Sequence, residues 1–169
     1  VLYLSALGVK NIAVVTSRQV ESRSVLARGL GATEILSVEK LGEQGLVHRI
    51  QELTGGLGAD LAIEASGNPA AFVQGLAVLR NRGAYLVPGQ YSNSGGVEIQ
   101  PQLITFKALH IIGSSQYQVE DVKSYIRFLQ QHPNLHNRIS SLASCYAVWE
   151  INRAIEDTKA GKNIKTLLV

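Results

Sequence analysis

A short apolar run, Ile12 to Val15, is followed at once by Thr16, Ser17 and Arg18, with Arg23 close behind. In a sheet that binds a dinucleotide, an acid at the end of the second strand accepts from the adenosine ribose hydroxyls, whereas Arg and small hydroxyl residues meet a 2′-phosphate. Ser17 can donate to such a phosphate, and the Arg18 and Arg23 guanidinium groups can pair with its charge. Hydrogen bonds to charged groups contribute roughly 1.5 to 3 kcal/mol each, so two arginines would favour the phosphorylated nucleotide by about ten- to a thousandfold after screening. The same letters also describe an ordinary solvated helix start with scattered basic residues. Glu21, the nearest acid, falls in the first turn of the following helix, where the macrodipole favours it.

Other candidates carry less chemistry. Gly55, Gly56 and Gly58 look like part of a phosphate-binding glycine loop, but such a loop leaves a strand and opens a helix. These glycines leave a helix and enter a strand, so they are expected to terminate the helix. His132 and His136 are separated by Pro133 and Asn134, which interrupt any helix that would align them on a metal. Cys145 has no His or Lys beside it in the strand-like run from Ser141 to Val148, which predicts a packed thiol rather than a nucleophile. Trp149 is expected in the core at the start of the last helix.

The elements that must position these residues alternate. Val1 to Val9 has an apolar helical pattern with no start methionine and no capping residue before it, as if the chain began inside a helix. Ile12 to Val15, Ile35 and Leu36, Leu61 to Ala65, Ala84 to Val87 and Leu109 to Ile112 are short apolar runs of the kind found in strands buried on both faces. Between them, Val20 to Leu30, the stripe Leu46, Val47, Ile50 and Leu53, and the stripe Phe72, Leu76 and Leu79 have helical spacing. The text GLGATEIL at Gly29 to Leu36 returns as GLGADLAI at Gly56 to Ile63, each a helix exit feeding a strand. Crossover helices between buried strands predict an α/β fold with a doubly wound parallel sheet. From about Gln116 the rhythm changes: a helix through Val122, Ile126 and Leu129 ends at Pro133, Ile139 to Ala147 reads as a half-exposed strand, Ile151 to Thr158 as a helix and Ile164 to Val169 as a strand. Residues 1–115 are therefore expected to form a dinucleotide-binding domain, and residues 116–169 part of a second lobe.

The 169 residues are 46% hydrophobic with 16 glycines, enough for one sizeable core and unlike a disordered or fibrous chain. The net charge of +3 comes from scattered basic residues, and only 6% of residues are aromatic, so neither a phosphate-tracking stripe nor a base-stacking platform for nucleic acid is visible. No apolar run approaches the roughly 20 residues that span a bilayer. One cysteine makes no internal disulfide, which fits a reducing, cytoplasmic compartment.

Four segments together carry a family likeness: LARGLGATEIL at Leu26 to Leu36, the run GADLAIEASGNPAAFVQGLAVLRNRGAYLVPGQY at Gly58 to Tyr91, KALHIIGSS at Lys107 to Ser115, and INRAIEDTKAGKNIKTLLV at Ile151 to Val169. In order and spacing they resemble the medium-chain dehydrogenase/reductase superfamily, specifically the cofactor domain and C-terminal return of zinc-type alcohol dehydrogenases. The resemblance implies a Rossmann-like sheet binding a nicotinamide dinucleotide at the carboxyl ends of its strands. It assigns Ser66 and Gly67 to the adenosine part, Pro88, Gly89 and Gln90 to a turn at the nicotinamide amide, Ser115 and Gln116 to the same carboxamide, and Lys165 to the pyrophosphate. Thr16 to Arg18 stand where NAD-using members carry an acid, which favours NADP while leaving NAD open.

The same resemblance implies that the family's first strand, glycine-rich loop and zinc ligands lie upstream of Val1, so that no catalytic or metal residue is assigned within this chain. In the strand order 3-2-1-4-5-6 the lack of strand 1 would leave two inner edges unpaired, making these residues alone prone to aggregate and catalytically silent. The parent is expected to be an NADP-preferring alcohol or polyol dehydrogenase, in which zinc polarises an alcohol or carbonyl oxygen while hydride moves to or from nicotinamide. The alternatives are a zinc-free quinone or enoyl reductase of the same superfamily and a non-catalytic NADP-binding module. Gly89 to Ser115 looks more like the zinc branch. The uncharged outer strand near Leu109 to Ile112 suits a homodimer or homotetramer formed along that edge.

Overall fold

Short apolar runs joined by amphipathic helices bury their surfaces together when the helices pack over a parallel sheet. The computed structural model, which describes residues 1–17, 20–90 and 92–169, has this α/β arrangement. The chain divides into two units, Val1–Gln116 and Tyr117–Val169. In the first, α1 (Leu2–Ala6), β1 (Ala13–Thr16), α2 (Glu21–Gly29), β2 (Glu34–Ser37), α3 (Val38–Leu53), β3 (Ala59–Ile63), α4 (Pro69–Val78), β4 (Leu79–Val87), α5 (Gln102–Lys107) and β5 (His110–Gly113) follow one another. β1 pairs with β2, and β3, β4 and β5 form a separate three-stranded sheet in that order; every pairing is parallel. A helix crosses between each pair of neighbouring strands, the α/β pattern expected from the alternation of runs and the Rossmann-like one that the resemblance implies.

Local signals set the helix boundaries. α4 starts where the Asn68 side chain accepts from the Ala70 amide at 3.0 Å and Pro69 takes a position needing no amide donor. α3 begins at Val38, earlier than the Leu46 stripe suggests, but Gly42, at φ 66°, breaks its first turn from the rest. The Gly55–Gly58 turn, with Gly55, Gly56 and Gly58 at positive φ, leaves α3 and enters β3 as the sequence predicts.

The core lies between the helices and the sheets. Leu36, Leu46, Ile50 and Val78 form one buried cluster, and Leu76, Leu79 and Tyr85 another. The Tyr85 ring stacks on Phe72 with centroids 5.2 Å apart, and its hydroxyl reaches the carbonyls of Phe72 at 3.0 Å and Ala71 at 3.2 Å. Gly75 lies directly against that ring, leaving no room for a side chain. At the end of α4, the Lys107 ammonium donates to the carbonyls of Leu76, Ala77 and Leu79 at 3.0, 2.7 and 2.8 Å, capping the helix and fastening α5 to it.

Several expectations need correction. Strands read as buried on both faces are half-open: Val15 is 41% exposed, Leu61 44% and Ile112 52%. Their openness goes with the two unpaired inner edges and the outer strand that the sequence predicts: β1 and β3 each have a ladder partner on one side only among the described residues, and β5 ends its sheet. The short helix α5 was not anticipated.

The second unit contains α6 (Val119–Gln131), α7 (Leu135–Ser140), β6 (Ala143–Tyr146), a 3-10 turn at Val148–Glu150, α8 (Ile151–Lys159) and β7 (Lys165–Leu168), with β6 and β7 parallel. Asp121 accepts from the Gln118 amide at 2.8 Å at the start of α6. The strand expected over Ile139–Ala147 is instead the end of α7 followed by β6; α7 starts at Leu135, 2% exposed, just after Pro133. Cys145 is exposed rather than packed, and Trp149 is 86% exposed rather than part of the core. Tyr146, Asp157 and Asn163 form the unit's polar centre: the Tyr146 hydroxyl lies 3.0 Å from an Asp157 oxygen, and Lys162 donates to the other. Among the described residues no helix is long and apolar enough to cross a membrane.

Candidate functional site

Ligands of parallel α/β sheets bind beyond the carboxyl ends of the strands, so the residues just after each strand decide what the sheet can hold. Beyond β3 the chain reads Glu64, Ala65, Ser66, Gly67; beyond β4 it reads Pro88, Gly89, Gln90. These turns meet. The Glu64 amide donates to Leu86 at 2.9 Å, and its carbonyl accepts from the Gly89 amide at 2.9 Å, continuing the ladder past the strand ends. Gly67, at φ 73°, and Gly89 face one another so closely that a Cβ on Gly67 would lie 2.9 Å from the Gly89 carbonyl oxygen, and one on Gly89 2.8 Å from the Gly67 amide nitrogen. Only glycine on both turns allows this approach.

Glu64 is the residue that sequence reasoning missed. Its side chain is almost wholly buried, and its carboxylate accepts from the Ser66 amide at 2.7 Å, the Ser66 hydroxyl at 2.6 Å, the Gly67 amide at 3.0 Å and the Gln90 side-chain amide at 3.1 Å. Burial pushes the carboxyl up, but the hydrogen bonds from Ser66, Gly67 and Gln90 outweigh it and hold the group below the usual carboxylate range. The available signal was an acid closing an apolar strand run just before Ser and Gly. Ser66 is thereby committed: its hydroxyl proton goes to Glu64 and its oxygen accepts from the Asn68 amide at 3.2 Å.

Beyond β5 the Ser114 amide reaches the Val87 carbonyl at 3.4 Å, and the exposed Ser115 and Gln116 follow. At the end of β1 the Thr16 hydroxyl donates to the Leu36 carbonyl at 3.4 Å, and the Ser17 carbonyl accepts from the Glu39 amide at 2.9 Å. Arg18 lies outside the described residues. Arg23 is exposed in the first turn of α2, the helix that leaves this end of β1. Lys165 is exposed on β7 in the second unit, where its amide donates to Leu142 at 3.1 Å.

The rim fits a dinucleotide in two respects. It has two turns without side chains at their point of contact, where a ligand can lie against backbone, and it has hydroxyl and amide groups at successive strand ends. Among the described residues no group of three His, Cys, Asp or Glu could hold a metal ion. The His136 ring is 3.0 Å from the Leu129 carbonyl, while His132 packs on Phe128 with centroids 4.5 Å apart. A separate open cavity, lined by Val47, Gly58, Leu79 and Lys107, lies at the amino ends of β3 and β4, away from the Glu64 turns.

The family model described as zinc-binding dehydrogenase matches residues 1–131. The 5-exo-hydroxycamphor dehydrogenase of Pseudomonas putida is 30% identical over 171 aligned positions, covering 99% of this chain and 46% of that protein. Crystal structures of an alcohol dehydrogenase from Thermotoga maritima (24% identity, TM-score 0.86) and of benzyl alcohol dehydrogenase from Acinetobacter calcoaceticus (25% identity, TM-score 0.82) each match 99% of this chain; the match spans 45% and 44% of their chains. The chain thus spans less than half the length of these relatives.

Proposed function

The chain belongs to the zinc-binding dehydrogenases, of the zinc-type medium-chain alcohol dehydrogenase kind, and on that premise we propose that it is the cofactor-binding part of an NADP-preferring alcohol or polyol dehydrogenase. The observation that carries the reading is the closed pair of glycine turns at the carboxyl ends of β3 and β4, because backbone contact without side chains is what a dinucleotide lying across a sheet requires. In this reading Ser66 and Gly67 border the adenosine part, while Pro88 to Gln90, with Ser115 and Gln116, border the nicotinamide carboxamide. A bound nicotinamide supplies the hydride acceptor or donor. The chain's own part is to hold that ring in one orientation, so that the encounter with an alcohol or carbonyl compound is already aligned. Zinc would be held by residues outside this chain. The exposed β5 edge suits pairing with a second copy, and light scattering on the full-length protein that finds only monomer removes that element of the proposal.

The preference for NADP rests on the sequence from Thr16 to Arg18, with Arg23 on α2. Since Thr16 donates to Leu36, discrimination falls to Ser17 and the two guanidinium groups. The test is kcat/KM for NADPH and NADH in the full-length protein, repeated after Arg18→Asp. NADPH is expected to lead by about tenfold or more, and the substitution to remove most of that lead. An unchanged ratio rejects the assignment to NADP, and no turnover of alcohols or aldehydes with either cofactor rejects the dehydrogenase reading.

A further inference from the structure

Two loops that contact one ligand must keep a fixed separation, and here a single buried side chain spans them. One oxygen of the Glu64 carboxylate takes the Ser66 amide, the Ser66 hydroxyl and the Gly67 amide; the other takes the Gln90 side chain, 26 residues further along the chain. All of these partners are neutral donors, so the carboxylate serves as a four-fold acceptor. Its backbone is bonded to the β4 side as well, through Leu86 and Gly89. A group so placed cannot shift without moving both turns.

We propose that Glu64 is a positioning residue: it fixes the spacing of the Ser66–Gly67 and Gly89–Gln90 turns, and so sets cofactor affinity without touching the cofactor. This rests on the reading that the rim binds a nicotinamide dinucleotide. The chemistry of the site distinguishes spacing from charge. In Glu64→Gln the introduced carbonyl can still accept from Ser66 and Gly67, and its amide can donate to Gln90 once the Gln90 amide turns over. In Gln90→Glu the donor is lost and two carboxylates meet at the 3.1 Å contact, driving the turns apart. With both substitutions together, the amide at position 64 donates to the carboxylate at position 90 and the bridge is rebuilt.

The experiment measures the Kd for NADPH and NADH, and Tm, for these three variants of the full-length protein. Glu64→Gln is expected to stay within threefold of wild type. Gln90→Glu is expected to weaken binding of the preferred cofactor at least tenfold, and the double variant to recover most of that loss. The recovery separates the bridge from any direct effect of a charge at position 90, because both variants carry it. Glu64→Asp, one methylene too short to span the turns, is the second measure if Gln90→Glu does not fold, and is expected to weaken binding tenfold. The proposal is overturned if Gln90→Glu or Glu64→Asp binds as wild type, if the double variant fails to recover, or if Tm falls while Kd is unmoved. A wild-type protein that binds neither cofactor instead overturns the reading of the rim itself.

Discussion

Gly89→Ala is the perturbation most directly fixed by the geometry. A Cβ there would lie 2.8 Å from the Gly67 nitrogen and 2.9 Å from the Ala65 carbonyl carbon, and would collide with the Glu64 carboxylate, whereas ordinary contact begins near 3.4 Å. Two of the three obstacles are backbone, so rotamer changes cannot relieve them, and the turns must separate by about half an ångström. That displacement carries the Gln90–Glu64 bond from 3.1 Å to about 3.6 Å, beyond hydrogen-bonding range. Overpacking of this kind costs about 1–3 kcal/mol. Urea unfolding of the full-length protein should report that loss, and cofactor titration a fall in affinity of about tenfold or more, because a displacement near 1 Å at a positioning contact can cost about a hundredfold. Gly29→Ala is the control: nothing lies within 4 Å of its Cβ position and its φ is not positive, so stability should change by less than about 1 kcal/mol. If Gly89→Ala unfolds and binds as wild type, the turns do not meet as described and the argument from their contact fails.

Lys107→Met removes the donor shared by Leu76, Ala77 and Leu79 and should destabilise the full-length protein by about 1.5–3 kcal/mol in urea unfolding, with no change in the ratio of NADPH to NADH use. Asp157 has its carboxyl held low by hydrogen bonds from Lys162 and Tyr146. A depressed folded-state value means the stabilisation is present above the ordinary Asp range and is lost as pH falls through the folded value; Asp157→Asn should therefore narrow the stability gap to wild type as pH drops below about 4 in acid-unfolding curves. If guanidinium charge selects the cofactor, the NADPH-to-NADH ratio of kcat/KM should fall as ionic strength rises from about 0.05 to 1 M, where the screening length shrinks to about 3 Å; a flat ratio would assign selection to uncharged contacts.

The alternation of strands and helices was legible because each apolar run is short and bounded by glycine, Asn-Pro or polar text, as at Asn68–Pro69 before α4. Burial was not legible. Hydrophobic runs report what a strand face prefers, while exposure depends on which neighbours the sheet has, so Leu61 and Ile112 are open despite their sequence. In the second unit α7 runs on to Ser140, over the start of the stretch where polarity suggested a strand, with Leu135 buried and Trp149 exposed. Glu64 was hidden for a different reason. Its partners at Ser66 and Gly67 are local, but Gln90 is brought to it only by the parallel pairing of β3 with β4.

The two halves of the proposed cofactor site therefore rest on different physics. Around Glu64 the separation of the turns is held by glycine contacts and by hydrogen bonds to a buried acceptor, interactions that salt barely screens and that fail abruptly when an atom is added. At the end of β1 the backbone is pinned through Ser17 and Glu39, but a phosphate would be read there by guanidinium charge, and the exposed Arg23 is of the kind whose pull weakens gradually with ionic strength and which can be exchanged without repacking. Affinity for any dinucleotide should follow the first half, and the choice between dinucleotides the second. A substitution at Gly89 ought then to weaken NADPH and NADH alike, whereas one at Arg18 should move the two apart. Observing the reverse would mean that spacing and selection are coupled through the fold rather than set by separate contacts.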